Sequence, residues 1–215
     1  MNKKRHRNLG SYGGKGIGRM AKLLYQGHGS LRLTTENGTV VYVDPYAGEG
    51  YGLPADLILV THQHGDHNQI AKPARKPGCT VYQNFDALQG GSYRTALLHG
   101  LRVEAVEAYN RNHPREECVG YLVEADGLLL YFAGDTSRTR QMEQLAERKL
   151  DYAFLPGDGV YNMTVEEAGE CARLLRAGHS VPIHLAPGRL FSEEAAARFD
   201  APGKLVLRPG EEILL

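Results

Sequence analysis

From Met20 onward the apolar and polar positions read mainly as strands. Leu31 to Thr35 and Thr39 to Val43 flank Asn37-Gly38, a favoured tight-turn pair, so the spacing predicts a β-hairpin. Its second strand ends at Asp44-Pro45, and a loop with Gly48, Gly50 and Gly52 follows. The continuous apolar run from Asp56 to Thr61 predicts a strand buried on both faces. The same order then returns. Val119 to Glu124, Asp126-Gly127 and Leu128 to Ala133 predict a second hairpin, followed by a helical stretch from about Arg138 to Arg148 and a buried strand from Leu150 to Leu155. That recurrence suggests two related halves packed together. Thr164 with Glu167 forms a capping box for a helix that Gly178 is expected to end. Ser192 before Glu193 and Glu194 opens another helix, with a short strand from Val181 to Leu185 between the two.

Composition narrows the class without naming a function. The chain has 215 residues, 42% hydrophobic and 23% charged, which is ordinary for a soluble globular protein and rules out disorder as the main state. A chain of this size needs no disulfide staples. No apolar run approaches the roughly 18 residues of a membrane span. The formal charge is zero but unevenly placed: residues 1–19 hold Lys3, Lys4, Arg5, Arg7, Lys15 and Arg19 and no acid. We therefore expect residues 1–19 to be a flexible basic tail and residues 20–215 to form the folded domain. The body carries the compensating excess of acid, a poor surface for nucleic acid. The glycine-rich stretch Gly13–Gly18 lacks phosphate-loop spacing and follows no strand. Cys79, Cys118 and Cys171 are scattered and form no CxxC pair, which points to a reducing compartment, the cytoplasm, and to small buried apolar roles.

Candidate chemistry is concentrated in Thr61-His62-Gln63-His64-Gly65-Asp66-His67, which places four potential metal ligands in six residues at the end of a buried strand. Strand ends are rigid, and the loop beyond is open to substrate. If the strand geometry continues past Thr61, His62 and His64 point to one side and can share a metal. Asp66 and His67 follow the turn at Gly65 and can hold a second ion. Imidazole with carboxylate suits zinc, and with lower preference manganese or iron.

This segment resembles the HxHxDH signature of the metallo-β-lactamase superfamily, and the resemblance extends over roughly residues 22–215. It implies an α/β fold, a four-layer αββα sandwich built from two similar halves, with the metals at one edge of the sheets. It also implies the remaining ligands. His113 stands in the loop before the second hairpin, Asp135 ends the strand Tyr131-Phe132-Ala133-Gly134, and His184 ends Val181-Pro182-Ile183. On that resemblance His62, His64 and His113 hold one metal, Asp66, His67 and His184 hold the other, and Asp135 bridges them. Such a pair of ions supplies activated water at neutral pH and polarises a carbonyl or phosphoryl oxygen.

Within the superfamily the chain is most similar to ascorbate-6-phosphate-lactonase-like stand-alone hydrolases, through Gly27-His28-Gly29-Ser30, Val43-Asp44-Pro45 and Ala133-Gly134-Asp135-Thr136. It departs from them at Gly29, which separates His28 from Ser30. His64 stands where flavodiiron members have Glu, which argues against oxygen reduction. His28 is a candidate catalytic proton donor together with Asp66, since imidazole titrates near neutrality. Asp44 is a candidate to orient a metal-binding histidine, and Tyr109 and Asn110 are candidates to face the site. Asp158 ends a strand, where turn chemistry is the commoner role. Arg111, Arg115, Arg138, Arg140 and Arg189 lie on loops near the motifs and favour an anionic substrate.

The expected function is hydrolysis of an ester, lactone, amide or phosphodiester bond in a small anionic substrate. The alternatives are a nuclease acting on nucleic acid and a noncatalytic metal-binding protein. The expected partner is a small molecule, with no membrane and no nucleic acid, and self-association is left open. His6, His99 and His179 fall outside every motif and are expected at the surface.

Overall fold

A computed structural model describes residues 20–215, so the expected basic tail and His6 lie outside the described residues. The elements run β1 (Lys22–Gly27), β2 (Ser30–Thr34), β3 (Val40–Val43), β4 (Ala55–Val60), β5 (Arg75–Gln83), the single-turn α1 (Asn84–Ala87), β6 (Leu88–Gln89), β7 (Ser92–Tyr93), β8 (Thr95–Leu98), β9 (Leu101–Glu107), β10 (Val119–Ala125), β11 (Leu128–Phe132), α2 (Gln141–Leu145), β12 (Tyr152–Pro156), α3 (Val165–Leu175), β13 (His179–Ile183), α4 (Glu193–Arg198) and β14 (Glu211–Leu214). Two six-stranded sheets carry the fold, ordered β14-β1-β2-β3-β4-β5 and β13-β12-β11-β10-β9-β8.

The recurrence seen along the chain is a repeat of topology. In each sheet the pairs β1–β2 and β2–β3, or β9–β10 and β10–β11, are antiparallel, and the next two pairs are parallel. The outermost pairs, β14–β1 and β8–β9, are antiparallel in both. Each strand of one six-stranded sheet therefore has a counterpart in the other, as the expectation of two similar halves required, and β6 and β7 pair apart as a small two-stranded sheet.

Alternation along the strands builds the layers. In β4, Leu57 and Leu59 join the core shared with Tyr121, Val123, Phe132 and Phe154 of the other sheet, while Ile58 and Val60 face outward with Val40 and Tyr42. Both faces are covered, which is why the run reads as continuously apolar. The outer face of the second sheet, including Leu122, Tyr131, Ala153 and Leu155, is covered by Met142 and Leu145 of α2, Ala168, Cys171 and Leu175 of α3, and Ala196 of α4. The outer face of the first sheet is covered by coil, with Tyr51 and Ile70 packed on Tyr42 and Ile58. The glycines of that coil let it lie close: a Cβ on Gly48 would meet the Gln26 carbonyl oxygen at 1.8 Å, and Gly48 has a φ of +63°.

Local expectations fare differently. The second hairpin has a two-residue turn with Asp126 and Gly127 at φ +51° and +80°, as a type I′ turn requires. The first hairpin does not. Strand pairing stops at Thr34–Val40, a Thr35–Thr39 backbone bond closes the loop, and only Gly38 has positive φ. Thr164 and Ser192 cap α3 and α4 as expected, accepting from the backbone N–H of Glu167 and Ala195. Arg176, in left-handed conformation at φ +54°, ends α3 before Gly178 is reached. Among the described residues no helix is long and apolar enough to cross a membrane.

Candidate metal centre

Strands β3, β4, β9, β11, β12 and β13 deliver their carboxyl ends to one edge of the sandwich: His62, His64, Asp66 and His67 follow β4, His113 follows β9, Asp135 follows β11 and His184 follows β13. The strand expected to end at Thr61 stops at Val60, and the bend that follows brings the rings of His62 and His64 together, with centroids 4.6 Å apart. His113 completes a triangle, 4.9 Å from His62 and 4.8 Å from His64. Potential ligand atoms fall into three overlapping groups, each within 4.8 Å: His62, His64 and His113; His62, His67 and Asp135; and His28, Asp66, His67 and His184. All seven residues expected as ligands thus fall within these overlapping groups, with Asp135 among the histidines. Its carboxylate lies 3.3 Å from His67 Nε2, 3.4 Å from His113 Nε2 and 3.5 Å from His184 Nε2.

Hydrogen bonds set which ring nitrogen faces inward. Thr61 Oγ1 donates to Asp44 Oδ2 at 2.7 Å, so it must accept from His62 Nδ1 at 3.0 Å. His67 Nδ1 donates to the same Asp44 oxygen at 2.9 Å. His113 Nδ1 donates to Asn110 Oδ1 at 2.9 Å, and that oxygen also accepts Asn112 N–H. His184 Nδ1 lies 2.9 Å from Asp158 Oδ2. In each ring Nε2 is left for the centre of the cluster. The Nε2 atoms of His62, His67 and His184 are buried without a hydrogen-bond partner, and so is His184 Nδ1, whose 2.9 Å approach to Asp158 is an ion-pair contact and not an aligned hydrogen bond. Unpaired buried nitrogens are costly, and converging imidazoles, with the Nδ1 atoms of His62, His67 and His113 hydrogen-bonded on the far side, are what a divalent metal requires. The donor set therefore fits metal ions.

The electrostatics are dominated by Asp135. Burial opposes its charge, but His67 and His184 outweigh burial and hold its carboxyl well below the ordinary range. Burial likewise opposes a charge on His67, and Asp135 and Asp44 overcome it and raise that imidazole well above the ordinary value. His62 goes the other way, because burial and then His67 disfavour its charged form. Burial raises Asp158, while His184 and the backbone N–H groups of Val160 and Asn162 bring it down to about 2.

His28 joins the edge from the β1–β2 turn. Its Nδ1 faces the Arg189 carbonyl at 3.1 Å, its Nε2 lies 3.1 Å from Asp66 Oδ2, and its ring lies 3.6 Å from that of His184. The hydrogen bond from His28 is the main cause of the lowered Asp66 carboxyl. Three non-glycine residues here have positive φ: His28 at +53°, Asp44 at +46° and His184 at +48°. Such conformations are held by surrounding contacts and concentrate at functional sites. Gly29 has its own reason. A Cβ at that position would meet His67 Cε1 at 2.9 Å, so glycine lets the turn lie against the ring. Ser30 lies behind it, donating to the Asp44 carbonyl at 2.7 Å and accepting from Tyr46 and Ala47 N–H.

The remaining candidates divide. Asn110 orients His113, whereas Tyr109 is half-buried and stacks with Arg115, whose guanidinium is 5.6 Å from its ring centroid. Asp158 exceeds the turn role expected of it: Oδ1 accepts the N–H groups of Val160, Tyr161 and Asn162, and Oδ2 faces His184. Of the loop arginines, Arg115 pairs with Glu107 and Arg138 with Glu143. Arg111 has no ion pair among the described residues and lines a cavity of about 390 Å³ beside Asn110. His99 and His179 are exposed. A smaller cavity of about 260 Å³ opens on His62 and His64 and is bounded by Asn84, Glu117 and Cys118. Cys118 and Asn162 are the neighbours of the centre that sequence reasoning left aside. Burial, together with the nearby carboxylates Asp135, Glu117 and Asp44, pushes the Cys118 thiol up to about 12.

Comparison with known proteins agrees with this fold. Residues 22–184 match a family model described as the beta-lactamase superfamily domain. A UPF0173 metal-dependent hydrolase of Rubrobacter xylanophilus is 33% identical, over 89% of this chain and 96% of the relative. One from Thermus thermophilus is 32% identical, over 91% of this chain and all of the relative. Among solved structures, a metallo hydrolase of Ignicoccus hospitalis matches with a TM-score of 0.67 at 22% identity, over 91% of this chain and 98% of that one. Fold and site together define a metal-dependent hydrolase. The chain belongs to the metallo-β-lactamase superfamily.

Proposed function

We propose that the chain hydrolyses an ester, lactone, amide or phosphodiester bond in a small anionic substrate, at a centre of two divalent ions, zinc by preference and manganese or iron otherwise. The observation that carries this reading is the convergence of three buried, unpartnered Nε2 atoms on the Asp135 carboxylate. His62, His64 and His113 would hold one ion, Asp66, His67 and His184 the other, and Asp135 both. When bound, the ions supply an activated water and a Lewis acid for the carbonyl or phosphoryl oxygen under attack. Zinc suits a mixed imidazole and carboxylate set better than magnesium or calcium, which prefer all-oxygen ligands.

The protein's own groups do the positioning. Asp44, Thr61, Asn110 and Asp158 fix the rings so that little reorganisation is needed during reaction. His28, whose Nε2 lies 3.1 Å from Asp66, would hand a proton to the departing group. Arg111 supports an anionic substrate, being a guanidinium without an ion partner among the described residues beside the His113 loop. Cys79, Cys118 and Cys171 are free, which supports action in the reducing cytoplasm.

A panel of phosphodiesters, sugar-phosphate lactones, thioesters and β-lactams, offered to zinc-reconstituted protein, tests the reading. Turnover of an anionic member, lost in His64→Ala, is expected. Activity that survives complete chelation contradicts it.

A further inference from the structure

No sequence feature singles out Asn162, which follows the strand β12 by six residues and is only 8% exposed. Its side-chain amide has two hydrogens, and both are committed to carboxylates: Nδ2 donates to Asp135 Oδ2 at 3.0 Å and to Asp158 Oδ2 at 3.1 Å. Its Oδ1 accepts from Asn110 Nδ2 at 3.4 Å. The orientation is fixed, because the reversed amide would set an oxygen against two carboxylates.

Each of the three partners leads to the centre. Asp135 is the carboxylate on which the histidines converge. Asp158 faces His184, and Asn110 accepts from His113. One amide therefore ties together groups assigned to both ions. The Asp135 and Asp158 side chains are 4% and 0% exposed, so water does little to screen their mutual repulsion. A neutral donor shared between them offsets that repulsion and holds both at fixed positions.

We propose that Asn162 is a positioning residue of the hydrolase, holding Asp135, and through Asp158 and Asn110 also His184 and His113, in the arrangement that takes up two metal ions. This rests on the dinuclear reading given above. Asn162 touches no reacting atom, so its effect is transmitted through the groups that it holds.

The test is Asn162→Leu, close in size but without donors. Zinc affinity is measured by competition with a chelator, and the visible spectrum of the cobalt-loaded protein reports the coordination geometry. Zinc binding is expected to weaken about 10- to 100-fold, the usual consequence of removing a group that supports metal ligands. The cobalt bands should shift, and kcat should fall with KM retained. A variant with wild-type zinc affinity and cobalt spectrum, whether or not its thermal midpoint has dropped, overturns the inference and leaves the dinuclear reading standing. If the wild-type protein itself binds no zinc, both fall. Should the leucine variant not fold, Asn162→Ala is read instead: a smaller loss of zinc affinity in the same direction is expected, and an unchanged affinity overturns the inference.

Discussion

Asp44 Oδ2 accepts from His67 Nδ1 at 2.9 Å, and the same oxygen accepts Thr61 Oγ1–H, which in turn receives His62 Nδ1. One buried carboxylate thereby orients two imidazoles assigned to different ions. Asp44→Ala removes that anchor and should weaken zinc binding about 10- to 100-fold. Titration against a chelator checks it, and wild-type affinity in the variant would show that the rings are held by packing alone.

The ring nitrogens on the far side of His113 make a finer prediction. Asn110→Ala leaves Nδ1 without its acceptor, so both tautomers become accessible and Nε2 no longer faces inward by default. We expect kcat to fall by about tenfold or more, with the fold intact by circular dichroism. An unchanged kcat would assign the orientation of His113 to its burial.

A third prediction concerns stability away from the centre. Asp56 Oδ2 takes Lys76 at 2.6 Å and Val40 N–H at 2.8 Å. Partial burial pushes its carboxyl upward, but the Lys76 and Val40 bonds outweigh that and leave it below the ordinary value of 3.8. A carboxyl with a depressed folded pKa adds stability that is present above its unfolded value and lost as pH falls through the folded one. Asp56→Asn should therefore cost about 1–2 kcal/mol at neutral pH. The deficit should shrink below about pH 4. Denaturant melts at the two pH values decide, and an equal deficit at both would place the effect in shape and not charge.

The cap of α3 gives a simpler case. Thr164 Oγ1 accepts Glu167 N–H at 3.2 Å. Thr164→Ala should lower stability by about 1 kcal/mol, with Thr164→Ser close to wild type. Equal losses in both variants would contradict the capping role.

Much of this was legible along the chain because it rests on local order. The run His62–His67 is contiguous, and His113, Asp135 and His184 are reached through the resemblance to the metallo-β-lactamase superfamily, which implies where in the chain its other ligands fall. Other features depend on contacts across the fold. Asn162 lies among turn-forming residues, and only the packing of three loops reveals that its amide meets Asp135 and Asp158. β5 was hidden by Pro77 and Gly78, which read as loop, and its pairing with β4 shifts register near them. β9 was readable and missed: Leu101, Val103 and Ala105 alternate inward with Arg102 and Glu104 between them. The coil over the first sheet was legible in part, since Gly48, Gly50 and Gly52 read as loop.

The central claim is that side chains distant in sequence form one centre for two ions sharing Asp135. Metal content after zinc loading and desalting tests it most directly, read beside activity and circular dichroism for the wild type and Asp135→Ala. The account predicts about two zinc ions per wild-type chain, with most of the metal and all of the hydrolysis lost from a folded Asp135→Ala. A folded Asp135→Ala that keeps both ions and full activity would contradict it.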